Sequence, residues 1–363
     1  MKIGILTYHR SHNYGALLQA IATRRVLESM GHEVYYVDYW PSYHKRMYSM
    51  FNIRCLIKKN VVNSLRYIYN FLRTYSIKKE RRKNMNMFIS KYINPFCKPM
   101  TEEFDILVYG SDQIWRKQPE NIGYNPVYFG VHNIKTKKNV AYAASMGILP
   151  IIDKDKERIK DLVSHIDNIS VREQDLAQLL NQLGVKNVTV CLDPTFLLSA
   201  KQWHSLFDIP LKENQEKYVL YYCLQSNAFS LKYIKEFARK KGLLLKIIIA
   251  DYSKKESETY ISTAAPDKFI QLFSNAEFVF TSSFHGLVFS IIFNKPFYAS
   301  FESNSGRAQS LLSYLGLTEY LLPPQSKFDD RYNDICYNDI NLKLDKLRCI
   351  SLDYLNTTCN INE

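Results

Sequence analysis

Four short stretches of this 363-residue chain gather groups able to hold anions, move protons or grip a sugar. In His9-Arg-Ser-His-Asn-Tyr-Gly15 a glycine and an amide stand just before an apolar run. There Gly15 would let a ligand approach the free N–H groups of a helix start, with Asn13 beside it; an ordinary polar turn would look the same. Gly110-Ser111-Asp112-Gln113-Ile114-Trp115 offers a carboxylate, an amide and an indole, a set suited to sugar hydroxyls and a flat sugar face. Asp112 could take a hydroxyl proton, or simply cap a following helix. In Ser170-Val171-Arg172-Glu173, the Arg172 guanidinium could clamp phosphate or carboxylate, or pair with Asp193 or Glu173. Finally, Thr281-Ser282-Ser283-Phe284-His285-Gly286 sets hydroxyls and a titratable ring at a helix start. A lone histidine is usually structural; one set among hydroxyls at the end of a strand suits chemistry better.

The elements that must carry these stretches follow from periodicity. Short apolar runs alternate with amphipathic ones, the pattern of parallel α/β architecture. Strands are expected at Lys2–Thr7, Glu33–Asp38, Asp105–Tyr109, Lys138–Ala143 and Ile169–Val171, then at Tyr218–Cys223, Leu244–Ala250, Glu277–Thr281 and Phe297–Ser300. All four functional stretches then follow strands, where ligands bind in such sheets. The expected fold class is α/β, with two Rossmann-like domains facing a cleft. The first would cover residues 1–195, with a helical insertion at about 43–95. The second would cover 196–340, and a helix at 341–363 would return towards the first.

Composition narrows the function classes. Hydrophobic content of 46% and charged content of 23% are globular values. No apolar run is long enough to span a membrane, and the one at the amino terminus is short for a signal peptide. Seven scattered cysteines, with no Cys-x-x-Cys pair, argue against disulfides and zinc and for a reducing cytoplasm. There is no Gly-x-Gly-x-x-Gly, Walker loop or His-Glu-x-x-His, so no nucleotide cofactor or metal is expected. Asp153-Lys-Asp155 and Asp329-Asp330 read as helix-start residues. The formal charge of +13 sits almost wholly in Tyr43–Tyr92, where thirteen Lys or Arg face one acid, Glu80, a net +12. Tyrosines and phenylalanines thread this segment. It suits either a solvated helical insertion or the anionic surface of a membrane; no nucleic-acid-binding motif accompanies it.

In order and spacing, Asn13-Tyr-Gly15, Gly110–Trp115, Ser170–Glu173, Leu192-Asp-Pro-Thr195 and Ser282–Leu287 resemble the polysaccharide pyruvyl transferase family. The resemblance implies a two-domain arrangement of GT-B type. It implies transfer of pyruvate from phosphoenolpyruvate to a sugar as a cyclic ketal, without a metal or other cofactor. Arg172 would hold the donor, His285 would be catalytic and Asp112 would act as base. Asn13, Gly15, Gly110, Ser111, Gln113, Trp115, Ser282 and Ser283 would bind substrate. The family's second basic residue falls at Ser305 here, and Arg307 is the expected substitute. The acceptor would be a sugar or a polyprenyl-diphosphate-linked oligosaccharide, met at the inner face of the cell membrane. A GT-B glycosyltransferase using a nucleotide sugar is the competing reading, and a non-catalytic polymer-binding protein a third.

Overall fold

The structure, a computed structural model, describes all residues except 52–60, 119–121, 150–151, 211–215, 251–253, 304–305, 329–334 and 361–363. Cys55, three cations of the basic segment (Arg54, Lys58 and Lys59), Ser305 and the pair Asp329-Asp330 therefore lie outside the described residues.

Seven parallel strands form the first sheet: β1 (Lys2–Leu6), β2 (Glu33–Val37), β3 (Cys97–Lys98), β4 (Phe104–Gly110), β5 (Thr136–Ala144), β6 (Asn168–Val171) and β7 (Thr189–Val190), in the order β3-β2-β1-β4-β5-β6-β7. The core run Ile106-Leu107-Val108-Tyr109 of β4 is buried on both faces, as a central parallel strand requires. A second parallel sheet holds β8 (Tyr218–Cys223), β9 (Leu244–Ile249), β10 (Tyr260–Ile261), β11 (Phe278–Thr281) and β12 (Phe297–Ala299), in the order β10-β9-β8-β11-β12. The edge strands β3, β7 and β10 have two residues each and went unforeseen, because so short a run carries no period of its own.

The α-helices are α1 (Tyr14–Ser29), α2 (Ser42–Met47), α3 (Val61–Tyr92), α4 (Asp153–Val163), α5 (Gln174–Gln182), α6 (Ala200–Leu206), α7 (Leu231–Lys240), α8 (Pro266–Asn275), α9 (Phe284–Ile292), α10 (Gly306–Leu315) and α11 (Tyr337–Thr358). Helix α1 is apolar on nearly all sides because it lies between the two halves. Tyr14 stacks on Phe269 of α8 at 4.5 Å, and its hydroxyl donates to the Ala264 carbonyl at 2.8 Å. A single apolar cluster accordingly runs through residues of both sheets.

Two further helices tie the halves together. In α11 the Tyr354 hydroxyl donates to the Ala141 carbonyl of β5 at 3.0 Å, and Ser351 Oγ accepts from the Leu192 N–H at 2.9 Å. The basic segment forms α2 and the 32-residue α3. The second half of α3 is anchored: Met85, Phe88 and Ile89 are buried, Arg81 Nη1 donates to the carbonyls of Ile249 and Ser262, and Asn84 Nδ2 donates to that of Thr263. Its first half stands apart from the body, with Val62, Leu65, Tyr69 and Leu72 each more than 60% exposed.

Candidate active site

The carboxyl ends of the two sheets meet around a cavity of about 410 Å³. Asn13 from the loop after β1, Asp112 and Gln113 after β4, Ser282, Ser283 and His285 after β11, and Arg307 on α10 all line it. Sequence reasoning had not singled out Tyr8, His44, Arg116, Tyr222 or Gln225, which share this lining. His44 comes from α2, so the insertion supplies part of the wall. Burial pushes the His44 imidazole down to about 4, and Asp112 offsets only part of that.

Behind this wall lies a cluster of buried charges. Arg172 follows β6, and its side chain is 4% exposed. Its Nη1 donates to Asp193 Oδ2 at 2.5 Å and its Nε to Glu173 Oε1 at 3.2 Å, while Nη2 has no partner. Asp193 also accepts from the Thr195 N–H at 3.0 Å and from the Thr195 hydroxyl at 2.6 Å. The same Asp193 oxygen that meets Arg172 lies 3.6 Å from His285 Nε2. That gap is too long for a hydrogen bond but close enough for strong charge coupling, and His285 Nε2 is left buried without a partner. Burial alone would raise the Asp193 carboxyl; His285 and Arg172 outweigh it and hold the group far below the usual carboxylate range. Asp193 entered the sequence reading as a bland partner for Arg172 and as part of the Leu192–Thr195 motif, with no role of its own. A buried aspartate before a proline, next to a strand end, was the one signal that could have marked it.

Arg307 is the counterpart, with no ion pair among the described residues. Burial, and then the like charge of Arg172, push its guanidinium down to about 10, and its Nε has no hydrogen-bond partner. Both guanidiniums lie 5.0 Å from the Phe284 ring centre. Two buried cations near one ring, each with an N–H that has no partner among the described residues, are suited to a compact anion.

His285 reaches its position because Gly15 has no side chain. A Cβ at residue 15 would stand 2.0 Å from His285 Nδ1. This corrects the expected role of Gly15: the space over the start of α1 is filled by the imidazole from the other domain, not left for a ligand. Asn13 lines the cavity, and its Oδ1 is engaged in accepting from the Ala16 N–H as the cap of α1.

Other expected substrate contacts turn inward as well. Trp115 is fully buried, stacks on Phe129 and donates its indole N–H to the Tyr128 carbonyl at 2.8 Å, so it offers no face to a sugar. Ser111 is also fully buried; its Oγ donates to the Ala143 carbonyl and its N–H to Gln19 Oε1. Gly110 has φ +141° and sits against the Tyr142 carbonyl, where a Cβ would come within 2.0 Å. It shapes the loop and touches no ligand space. Ser282 Oγ accepts from the N–H groups of Leu224 and Gln225, and Ser283 caps α9, so both hydroxyls are already engaged. Asp112 stands at the cavity in the left-handed region, with φ 63°. No helix follows for it to cap; its Oδ1 accepts from the Gln113 N–H at 2.9 Å. Among the described residues no group of three or more His, Cys, Asp or Glu could hold a metal ion, and no helix is long and apolar enough to cross a membrane.

Comparison with known proteins adds to this geometry. Among solved structures, UDP-GlcNAc 2-epimerase from Methanocaldococcus jannaschii aligns with 12% identity and a TM-score of 0.45, over 97% of this chain and 93% of that one. A glycosyltransferase from Rickettsia africae gives 12% and 0.40, over 98% of each chain. The E. coli heptosyltransferase WaaC with ADP gives 9% and 0.40, over 96% and 100%. No curated protein matches. The family model for polysaccharide pyruvyl transferase matches residues 13–305, which span the Asp112, Arg172 and His285 loops, and the chain belongs to that family.

Proposed function

We propose that the protein transfers pyruvate from phosphoenolpyruvate to a sugar diol as a cyclic ketal. One observation carries this reading: Arg172, Asp193 and His285 converge through a single carboxylate oxygen directly behind the wall of a cavity lined by His285, Arg307 and Asp112. The donor is a small dianion or trianion whose carboxylate and phosphate are both borne on C2 of an enol. Two buried guanidiniums suit it. The donor's CH₂ carbon must gain a proton, which leaves cationic character at C2. His285 is the acid beside the anion receptor. A sugar hydroxyl attacks C2 and gives its proton to Asp112 on the opposite wall. Phosphate then leaves C2, and the neighbouring hydroxyl closes the ketal with loss of its own proton. Arg172 and Arg307 hold the departing phosphate and the retained carboxylate.

The acceptor we favour is a sugar carried on a membrane lipid during synthesis of a surface polysaccharide such as a capsule, with galactose as one candidate. The first half of α3 supports this reading. Val62, Leu65, Tyr69 and Leu72 form an exposed apolar stripe, flanked by the exposed cations Arg66 and Arg73. Such a helix fits the anionic inner face of a membrane. The protein should sediment with anionic vesicles at low salt and release them as salt rises.

The deciding experiment incubates the protein with phosphoenolpyruvate and a panel of sugars and reads acceptor mass together with phosphate release. A mass gain of one pyruvyl ketal, stoichiometric with phosphate, is expected. Glycosyl transfer from nucleotide sugars, with phosphoenolpyruvate inert, would replace this reading with a glycosyltransferase.

A further inference from the structure

Another cavity, of about 420 Å³, lies against the first: Phe284 and Arg307 line both, and no other described residue does. Arg172 and Asp193 line this rear cavity and not the front one. It is set in the seam of the molecule, with Leu192 and Phe196 from the first half, Leu311 on α10 from the second, and Leu347 on α11. Ser313 and Tyr314, both exposed on α10, bring it to the surface. The lining is of two kinds. Leu192, Phe196, Leu311 and Leu347 present apolar side chains that a ligand gains by covering. Against them stand the two guanidiniums. The Arg172 side chain is 4% exposed, and its Nη2 is buried without a partner although Nη1 and Nε meet Asp193 and Glu173. Arg307 Nε is buried without a partner too, and Arg307 has no ion pair among the described residues. A buried N–H that lacks an acceptor costs a fold stability, and an arriving acceptor recovers it. Phosphoenolpyruvate could satisfy the guanidiniums, but it has one CH₂ group with which to cover four apolar side chains.

We propose that the rear cavity binds a small organic monocarboxylate with an apolar body, its carboxylate on Arg307 and Arg172 and its body against Leu192, Phe196, Leu311 and Leu347. One negative charge is the complement, because Asp193 and Glu173 already answer Arg172 and only Arg307 lacks an ion pair. The binding itself is independent of the reaction catalysed; its effect on turnover rests on the pyruvyl transfer reading. In that reaction the occupant takes the donor's two guanidiniums from behind and leaves the acceptor cavity open. It therefore inhibits in competition with phosphoenolpyruvate and not with the sugar.

The test is a calorimetric titration of the whole protein with octanoate, with octan-1-ol, which keeps the body without the charge, and with acetate, which keeps the charge without the body. Octanoate should bind about tenfold more tightly than either of the others. Ser313→Trp at the surface and Leu311→Trp inside each add an indole to the lining. Both should weaken octanoate about tenfold and leave phosphoenolpyruvate affinity unchanged. Ser313 is exposed, so its variant decides the matter even if Leu311→Trp fails to fold. Saturating phosphoenolpyruvate should weaken octanoate in the parent protein. The assignment is overturned if octanoate does not bind, if it binds no better than octan-1-ol or acetate, or if Ser313→Trp binds it as tightly as the parent. Undiminished octanoate binding in saturating phosphoenolpyruvate would overturn the shared use of the guanidiniums. Failure of phosphoenolpyruvate to bind at all would sink the pyruvyl transfer reading and leave the rear site standing, since octanoate, octan-1-ol and acetate test it without the donor.

Discussion

The two walls of the cleft are built on opposite plans. Behind one wall, which His285 reaches, Arg172, Asp193 and Glu173 are almost wholly enclosed and held by a few short contacts. On the other, Asp112, Gln113 and Arg116 face the cavity, with Arg116 reaching Gln113 Oε1 at 3.1 Å across an exposed surface. Enclosure holds charge at fixed positions and makes each pair strong, because little water screens it. Openness lets polar groups adjust to a larger and more variable partner. In the pyruvyl transfer proposed above, the small donor falls to the enclosed side and the sugar to the open one.

That contrast can be broken most sharply at His285. His285→Ala should lower kcat about a thousandfold, the scale of a lost general acid, while thermal unfolding stays close to that of the parent protein. Near-normal turnover at any pH would remove His285 from the chemistry. Arg172→Lys should follow, with kcat/KM for phosphoenolpyruvate down roughly a hundredfold, since an ammonium cannot bridge Asp193 and the donor with a planar fork. An equally active lysine variant would show that charge alone suffices on the enclosed wall.

Arg307 sharpens the comparison in a different way. Its guanidinium is buried with no ion-pair partner among the described residues, which costs the fold stability. Arg307→Met should raise Tm by about 2 °C and raise KM for phosphoenolpyruvate about tenfold. A drop in both stability and affinity would mean that the side chain is mainly a packing element. The smallest effect concerns pH. His44 at the open wall and His9 beneath it are both held down to about 4, chiefly by burial, against 6.5 for a free imidazole. Between pH 6.5 and 4 the unfolded chain takes up protons that the folded one refuses. Stability should therefore fall as pH drops through that window and level off below it. Denaturant midpoints measured from pH 7 to 4 test this, and His44→Gln should remove part of the slope. A slope unchanged in His44→Gln would assign the effect to other groups.

Sequence alone carried the architecture far, for a physical reason. Buried parallel strands such as Ile106–Tyr109 are continuous apolar runs, and helices such as α5 alternate apolar and polar faces, so both register in composition. It also located the loops that meet at the cleft. What it could not give was the direction in which each side chain turns. Trp115 and Asp112 are three residues apart in one loop, yet one is stacked in the core and the other stands at the cavity. That choice depends on Phe129 and Tyr128, which have no pattern linking them to the loop in sequence. Asp193 was named without a role for a related reason: its weight comes from Arg172 and His285, 21 and 92 positions away along the chain.

The contact between Gly15 and His285 has a consequence for how the enzyme can evolve and be engineered. The first residues of α1 and the first residues of α9 share one van der Waals surface, although each belongs to a different sheet. A single methyl group at residue 15 would occupy the place of the imidazole and drive the His285 ring off its seat. Neither half can therefore be exchanged with that of a relative unless the glycine on one side and the histidine on the other travel as a pair. In a chimaera that breaks the pair, each half could fold normally while the assembled enzyme stays silent.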